Sequence, residues 1–332
     1  MAQPKLPSTS EELANIIESI GVAEVARTYG TSERNVHRRR IQAEADLGRP
    51  IHSPGGTGSS GQRKKEYADL QEVGFEAKEA ISFNIKDGTI LIGSDCHYWP
   101  GLISTAHRGF VKFCKKLKPK AVIMNGDVLD GATISRFPPP GWEYQPELIH
   151  ELEACYDRLK EIKQAAGKAR RIWTYGNHDQ RFELKLATLT REYAGVKGFH
   201  LHDHFNDWER CWLVDVNADH HSRTVIKHRF KGGVHATYNN VIHSGVNMVT
   251  GHLHSAKITP KTNYRGTLYG VDCGTLAEPK GRQFTSYTEG GPTDWRSGFA
   301  VLTFKDNQLL MPELCLTVEK GKMQFRGEVF KV

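Results

Sequence analysis

Hydrophobic positions along this chain change period partway through. From Ser8 to Asp46 they recur at helical spacing, with Leu13, Ile16, Ile17 and Ile20 on one face and Val22, Val25, Ala26 and Tyr29 on a second. Ser8-x-x-Glu11 and Thr9-x-x-Glu12 are both capping boxes for the first helix. Gly21 breaks it, Gly30 makes a turn, and Thr31 or Ser32 caps a third helix from Glu33 to about Asp46. A small all-α domain is therefore expected over residues 1–47. Residues 48–65 follow as a flexible linker, rich in Gly and Ser with Pro50 and Pro54 and closed by Arg63, Lys64 and Lys65. A short helix to about Ala80 should lead into the second domain, 66–332.

Beyond residue 85 the pattern alternates short β-branched runs with helical stretches. The runs are Thr89–Ile92, Ala121–Met124, Arg171–Tyr175, Thr224–Ile226 and Val246–Val249, and they read as buried strands. Helices are expected at about Ile103–Leu117, Pro146–Ala166 and Phe182–Tyr193. The last third is strand-rich, with runs at Thr267–Asp272, Gly298–Phe304 and Leu309–Thr317 and a terminal pair around Lys322–Phe330. The fold class is α/β.

Each of the first five runs delivers a chemical motif. In order these are Asp95-Cys96-His97, Gly126-Asp127-Val128-Leu129-Asp130, Gly176-Asn177-His178-Asp179, His228, and Gly251-His252-Leu253-His254. Imidazole, carboxylate and amide oxygen all bind divalent metal. Ligands at successive strand ends meet in the crevice at one edge of a sheet. A metal site is expected, and two ions fit the number of ligands.

The ordered set resembles the calcineurin-like metallophosphoesterase superfamily over roughly residues 85–332. Any one motif is weak, but five in order are specific. The resemblance implies a four-layer αββα sandwich with two mixed sheets face to face. It implies Asp95, His97, Asp127 and His254 around one metal, and Asp127, Asn177, His228 and His252 around the other, Asp127 bridging. His178 matches the family's substrate-facing histidine, and Asp179 the carboxylate that orients it. Two divalent ions about 3.5–4 Å apart can hold a hydroxide between them and neutralise the oxygens of an in-line displacement. His178 would act as acid on the leaving oxygen, and Arg181 would clamp a phosphate oxygen. Imidazole-rich ligands favour Mn, with Fe, Zn or Ni also suited, over Mg or Ca.

Other residues carry alternatives. His235 competes with His228 for the fourth motif, and His228 is preferred because it ends a strand-like run. Asp130 is expected to brace the loop around Asp127, and Cys96 to pack away from the metals. His200, His202 and His204 alternate and could share a metal, but exposed loop histidines are the preferred reading. His220-His221 reads as a hairpin tip. Trp295 and Tyr287 either wall a substrate groove or pack a long loop, and the segment Phe137–Trp142 should overhang the site.

Composition narrows the class. The chain has 332 residues, 38% of them hydrophobic, and a formal charge of +7. No apolar run approaches the ~18–20 residues of a membrane span, and the N-terminal pattern is not expected to act as a signal peptide. Six cysteines without CxxC spacing fit a reduced cytoplasmic protein, in a host cytoplasm if phage-encoded. The N-terminal pattern looks like a helix-turn-helix whose third helix carries Arg34, His37, Arg38, Arg39 and Arg40, a set suited to DNA phosphates. A helical oligomerisation or protein-binding domain is the alternative, because Arg39 sits where an apolar residue is usual.

Protein phosphatases of this superfamily usually read G-D-x-x-D-R-G and G-N-H-E, whereas here Gly131 and Asp179 stand at the differing positions. The pair looks more like the repair-exonuclease and phosphodiesterase branches, and the whole combination like phosphoesterases of tailed bacteriophages. The leading expectation is a DNA-directed phosphodiesterase or nuclease. The alternatives are a phosphatase or small-nucleotide phosphodiesterase recruited by its N-terminal module, and a non-enzymatic DNA-binding regulator. The intact ligand set argues against the last.

Overall fold

The computed structural model describes residues 6–54, 78–137 and 141–332. The chain divides into two compact units, 1–76 and 77–332. In the first, α1 (Ser10–Thr28) is capped by Thr9, whose side chain accepts from Glu12 N, and is interrupted at Gly21 (φ 80°, ψ 160°). Helix α2 (Glu33–Leu47) starts at Ser32, whose hydroxyl accepts from Asn35 N. Leu13, Ile17, Val25 and Val36 form the shared core of these helices.

The expected linker is not loose where it begins. Gly48 ends α2 in the left-handed conformation, and Ile51 then turns back into the helical core, fully buried. Its N–H donates to Glu44, Ser53 Oγ accepts from Val22 N, and Arg49 pairs with Glu18 at 2.6 Å. A single isoleucine in a Gly/Ser/Pro stretch thus adds 48–54 to the unit, a contribution that average composition hides. The rest of the linker and most of the expected helix to Ala80 lie outside the described residues. Lys78–Ala80, its end, belong to a strand instead.

The second unit is built on strands β1 (Lys78–Phe83), β2 (Gly88–Gly93), β3 (Ala121–Asn125), β4 (Arg170–Thr174), β5 (Glu209–Val216), β6 (Thr224–Ile226), β7 (Asn247–Thr250), β8 (Lys257–Asn263), β9 (Gly266–Asp272), β10 (Gly298–Lys305), β11 (Gln308–Leu309), β12 (Glu313–Glu319), β13 (Lys322–Phe325) and β14 (Glu328–Lys331). The helices are α3 (Thr105–Leu117), α4 (Leu148–Ala166), α5 (Gln180–Leu189), the single turns α6 (Leu201–His204) and α8 (Thr285–Thr288), and α7 (Ala236–Ser244). Strands β2, β3, β4 and β5 pair in parallel, as do β6, β7 and β9.

Hydrogen bonding does not separate two sheets, as expected, but follows one path among the described strands: β14-β13-β12-β10-β2-β3-β4-β5-β6-β7-β9-β8. Strand β5 is the reason. Its first residues pair with β4 and its last with β6, while β1 joins it alongside. The halves of the path nevertheless share a core. Ile90, Ile92, Ile123 and Ile172 from one half meet Val214, Val216, Ile226, Val249 and Val271 from the other. Leu91, Val122 and Trp173 face the opposite way, into a core with Phe110, Phe113 and Leu159 of α3 and α4. Burial on both faces explains the continuous apolar runs.

Sequence reading placed only the hairpin tip after β5, not β5 itself. His220 and His221 do lie in the β5–β6 turn. The strand's ends are polar and become stable through pairing: Glu209 takes two hydrogen bonds from Arg170, and Asp215 is held by Arg223. Helix α5 starts two residues before the expected Phe182, directly after Asp179, and ends at Leu189. All six cysteines are buried and unpaired, Cys96 among the helix-side core. No described helix is long and apolar enough to cross a membrane.

Because Ile51 fills the core of the first unit, Ile51→Ala in the full chain should destabilise that unit by about 2–5 kcal/mol. Hydrogen exchange of the Leu13–Val25 amides should accelerate accordingly while β2 and β3 amides keep their protection. Unchanged exchange would mean that residues 48–54 behave as linker.

Candidate metal centre

Five loops deliver the site. Asp95 and His97 follow β2, Asp127 and Asp130 follow β3, Asn177 and His178 follow β4, His228 follows β6, and His252 and His254 follow β7. Asp95, His97 and His254 present ligand atoms within 4.8 Å of one another, as do Asp127, His228 and His252. His228 Nε2 lies 3.1 Å from Asp127 and 3.9 Å from Asp95, so the two clusters adjoin. His235, the competing residue, is exposed at the start of α7.

The backbone is bent to achieve this. Asp95, His97, Asp127, His252 and His254 have φ of 52°, 39°, 50°, 71° and 58°. Non-glycine residues seldom take that left-handed conformation, and strain of this kind collects at functional sites. The motif glycines answer to sterics: a Cβ on Gly126 would overlap the His228 ring, one on Gly176 would overlap Asp127, and one on Gly251 would overlap Ser94. Sequence reading singled out the polar residues and left these close approaches unstated.

Histidine orientation is set by each ring's other nitrogen. His228 Nδ1 donates to the Asn125 carbonyl at 2.8 Å, and His97 Nδ1 to Asp130 Oδ1 at 2.8 Å. That leaves Nε2 of both rings buried without a hydrogen-bond partner, along with Asn177 Oδ1 and His254 Nδ1. Orphaned ligand atoms on four of the seven expected ligands fit bound cations, since a buried polar atom is otherwise costly. Charge points the same way. Burial opposes a charge on His228, yet Asp127 and Asp95 outweigh it and push its pKa up to about 10. Burial would raise Asp95, but His254 and His228 hold it at about 2. The pocket demands positive charge among its carboxylates, which divalent ions supply.

Two expected roles are exchanged. Asp179 does not orient His178. Its Oδ2 accepts from Asp127 N, Gly176 N and Trp173 Nε1 at 2.9, 2.8 and 3.0 Å, and its Oδ1 from Val128 N and Leu129 N at 3.0 and 3.3 Å. It is the brace of the loop around Asp127. Burial and neighbouring Asp127 push its pKa up to about 6, against those donors. Asp130, expected to brace that loop, instead holds histidines: its carboxylate meets His97 Nδ1 and lies 3.2 Å from His178 Nδ1, while its carbonyl accepts from the same His178 nitrogen at 2.9 Å. Chain neighbourhood misled the assignment, because the left-handed turn at Asp127 swings Asp130 toward the rings. Burial would lower the His178 pKa, but Asp130 and Asp127 raise it. Arg181 donates to the Asp130 carbonyl at 2.8 Å and reaches His178 Nε2 at 3.2 Å. Glu151, unnoticed in the sequence, is wholly buried on α4 and accepts from Gly131 and Ala132 N. Burial and Asp130 push it up to about 7.

An aromatic wall flanks His97 and His254. Phe284 packs on His97 at 5.1 Å and Trp295 on His254 at 4.5 Å, and Tyr287 stacks on Trp295 at 5.8 Å with 78% of its surface exposed. Glu143, next to the almost fully exposed Trp142, accepts from Ser286 N. Glu143, just after the expected overhanging segment, therefore reaches the stretch that carries Tyr287, and residues 138–140 lie outside the described residues.

The exchanged roles are separable by substitution. Asp179→Asn leaves at least two N–H donors facing an amide NH2, at about 1–3 kcal/mol each. It should lower the melting temperature and weaken Mn binding by about 10–100-fold. His178→Gln and Asp130→Asn should cut turnover of a poor-leaving-group ester by about 10²-fold or more. For His178→Gln, Mn affinity should be unchanged, as calorimetric titration would show. Full activity in His178→Gln would remove its acid role.

Residues 88–256 match the calcineurin-like phosphoesterase family, and that span holds every ligand motif. The chain is 28% identical over 234 residues to the Gene 54 protein of Mycobacterium phage L5, covering 65% of this chain and 88% of that protein. The Gene 54 protein of Mycobacterium phage D29 is 25% identical over 253 residues, covering 68% and 92%. Among solved structures, zinc-complexed Vps29 from Entamoeba histolytica aligns with 74% of this chain and 98% of its own, at 14% identity and a TM-score of 0.38. The match spans about half the chain and contains the histidine–carboxylate clusters, so this protein belongs to the calcineurin-like phosphoesterase family and is a metal-dependent phosphoesterase.

Proposed function

We propose that the enzyme is a phosphodiesterase of the repair-exonuclease-like branch that acts on DNA, with Mn in both metal positions. The observation that carries the choice of a nucleotide diester is the Tyr287–Trp295 stack against His254. An exposed aromatic face beside the reacting phosphate offers a base a stacking surface, worth about 1–3 kcal/mol per base. A phosphate monoester alone makes no use of it.

When bound, the two ions neutralise the phosphate oxygens and activate water. The protein supplies the rest. Asp130 fixes His178 through Nδ1, so Nε2 is the atom that donates to the leaving oxygen. A phosphate oxygen taking the Arg181 guanidinium away from Nε2 frees that nitrogen to carry its proton. Asn177 adds a ligand oxygen without charge, which leaves net positive charge for the anionic substrate.

DNA recruitment is assigned to the first unit as a helix-turn-helix. Helices before and after the Tyr29–Ser32 turn support it, with Arg34, His37 and Arg38 exposed on α2. Arg39 and Arg40 leave the expected DNA-binding set. Arg39 donates to the Pro7 carbonyl at 2.6 Å, and Arg40 pairs with Glu44 at 2.9 Å. Arg39 thus fills an apolar-type position by tying down the N-terminal segment. The phage-encoded relatives are consistent with work in a host cytoplasm.

The test compares wild type with Arg34→Ala/Arg38→Ala in the full chain. Both should hydrolyse bis-p-nitrophenyl phosphate with Mn equally, and faster than p-nitrophenyl phosphate. The double variant should bind DNA more weakly in gel shifts, with the salt slope shallower by about 2. Equal DNA binding would make the unit a protein-interaction element, and preference for the monoester would favour the phosphatase reading.

A further inference from the structure

The histidines at 200 and 202 are not exposed loop residues. His200 caps α6 and His202 lies within it, on either side of the fully buried Leu201, and they converge on Glu183 of α5. Glu183, His200 and His202 present three ligand atoms within 4.8 Å of one another, apart from the two clusters above. His204, the third of the alternating set, turns to the Gly198 carbonyl and is not in this group.

We propose that Glu183, His200 and His202 bind a third transition-metal ion, of the zinc type, that clamps α5 to the segment leading into β5. His200 carries the argument. Its Nε2 faces the Ala194 carbonyl at 2.7 Å and its Nδ1 faces Glu183 Oε2 at 2.7 Å. A carbonyl can only accept, so Nε2 bears a hydrogen, and Nδ1 meets the Glu183 carboxylate either through a second ring proton, which that pairing favours, or through a cation that takes the proton's place. A backbone carbonyl on one ring nitrogen is the arrangement that fixes a histidine for ligation through the other.

The remaining ligands are held for the same purpose. Glu183 Oε1 accepts from Leu201 N, which aims Oε2 at His200. The His202 ring lies 5.0 Å from that of His200, tilted by 32°, and burial, with the nearby His200, lowers its pKa against the pull of Asp203. Two imidazoles and a carboxylate suit zinc, with water as the fourth ligand. Bonds of about 2.0–2.1 Å at tetrahedral angles put ligand atoms about 3.3 Å apart. The His200–Glu183 pair need open by only roughly half an ångström. The surrounding segment is otherwise fixed by the Tyr193–Phe199 stack at 4.9 Å and by Asp203, which accepts from Gly198 N.

The location gives the ion a role. Helix α5 begins immediately after His178 and Asp179 and carries Arg181, so an ion on Glu183 steadies the helix that presents them. The test is equilibrium dialysis of the full chain against zinc alone, read by elemental analysis. Wild type should retain one more ion per chain than either His202→Ala or Glu183→Gln, with far-UV circular dichroism unchanged. His252→Ala should still retain that ion. In cobalt-loaded protein, wild type minus His202→Ala should leave a four-coordinate visible band. Equal zinc in wild type and both variants would overturn the proposal and leave Glu183–His200 as an ion pair. Should His202→Ala not fold, Glu183→Gln and the cobalt difference decide the same question.

Discussion

The Asp179 carboxylate receives five N–H donors from three stretches of chain: the loop after β3, the loop after β4 and the Trp173 indole. The four backbone donors among them belong to loops that turn away from the sheet to reach the metals. Buried and unpaired, each would cost about 1–3 kcal/mol. One buried carboxylate therefore fixes Asp127, and through it the meeting point of the two ligand clusters. His178 is placed by the same bridge, since its N–H donates to Asp127 Oδ1 at 2.8 Å.

Around that brace the site stores strain and charge. Left-handed backbone at five ligand residues and glycines with no room for a Cβ mean that the loops are held by their surroundings rather than by local preference. Two buried aspartates within reach of His228 concentrate negative charge in a region with little water. Cations resolve both problems, taking up the orphaned nitrogen and oxygen atoms and balancing the carboxylates.

Much of this was legible in the sequence because buried strands advertise themselves. Thr89–Ile92 and Ala121–Met124 are apolar on both faces, and the polar residue that ends such a run has to serve a purpose. The break at Gly21 was equally readable, and the caps at Thr9 and Ser32 were readable to within one residue, being local chemistry. What failed was long-range. The exchange between Asp130 and Asp179 depends on a backbone turn that spacing does not reveal. Strand β5 was missed because its charged ends are stabilised only by Arg170 and Arg223. Ile51 was lost in a linker composition, and Arg39 and Arg40 were read as free charge although each has a partner within its own unit.

The central proposal is that Asp127 would be the ligand shared by two ions in one centre. Electron paramagnetic resonance of the apoprotein loaded with two equivalents of Mn measures this directly, because two Mn ions sharing a carboxylate bridge couple magnetically. The account predicts the multiline spectrum of a coupled pair, replaced by isolated-ion lines in Asp127→Asn. A wild-type spectrum of isolated Mn alone, at two ions bound per chain, would contradict it.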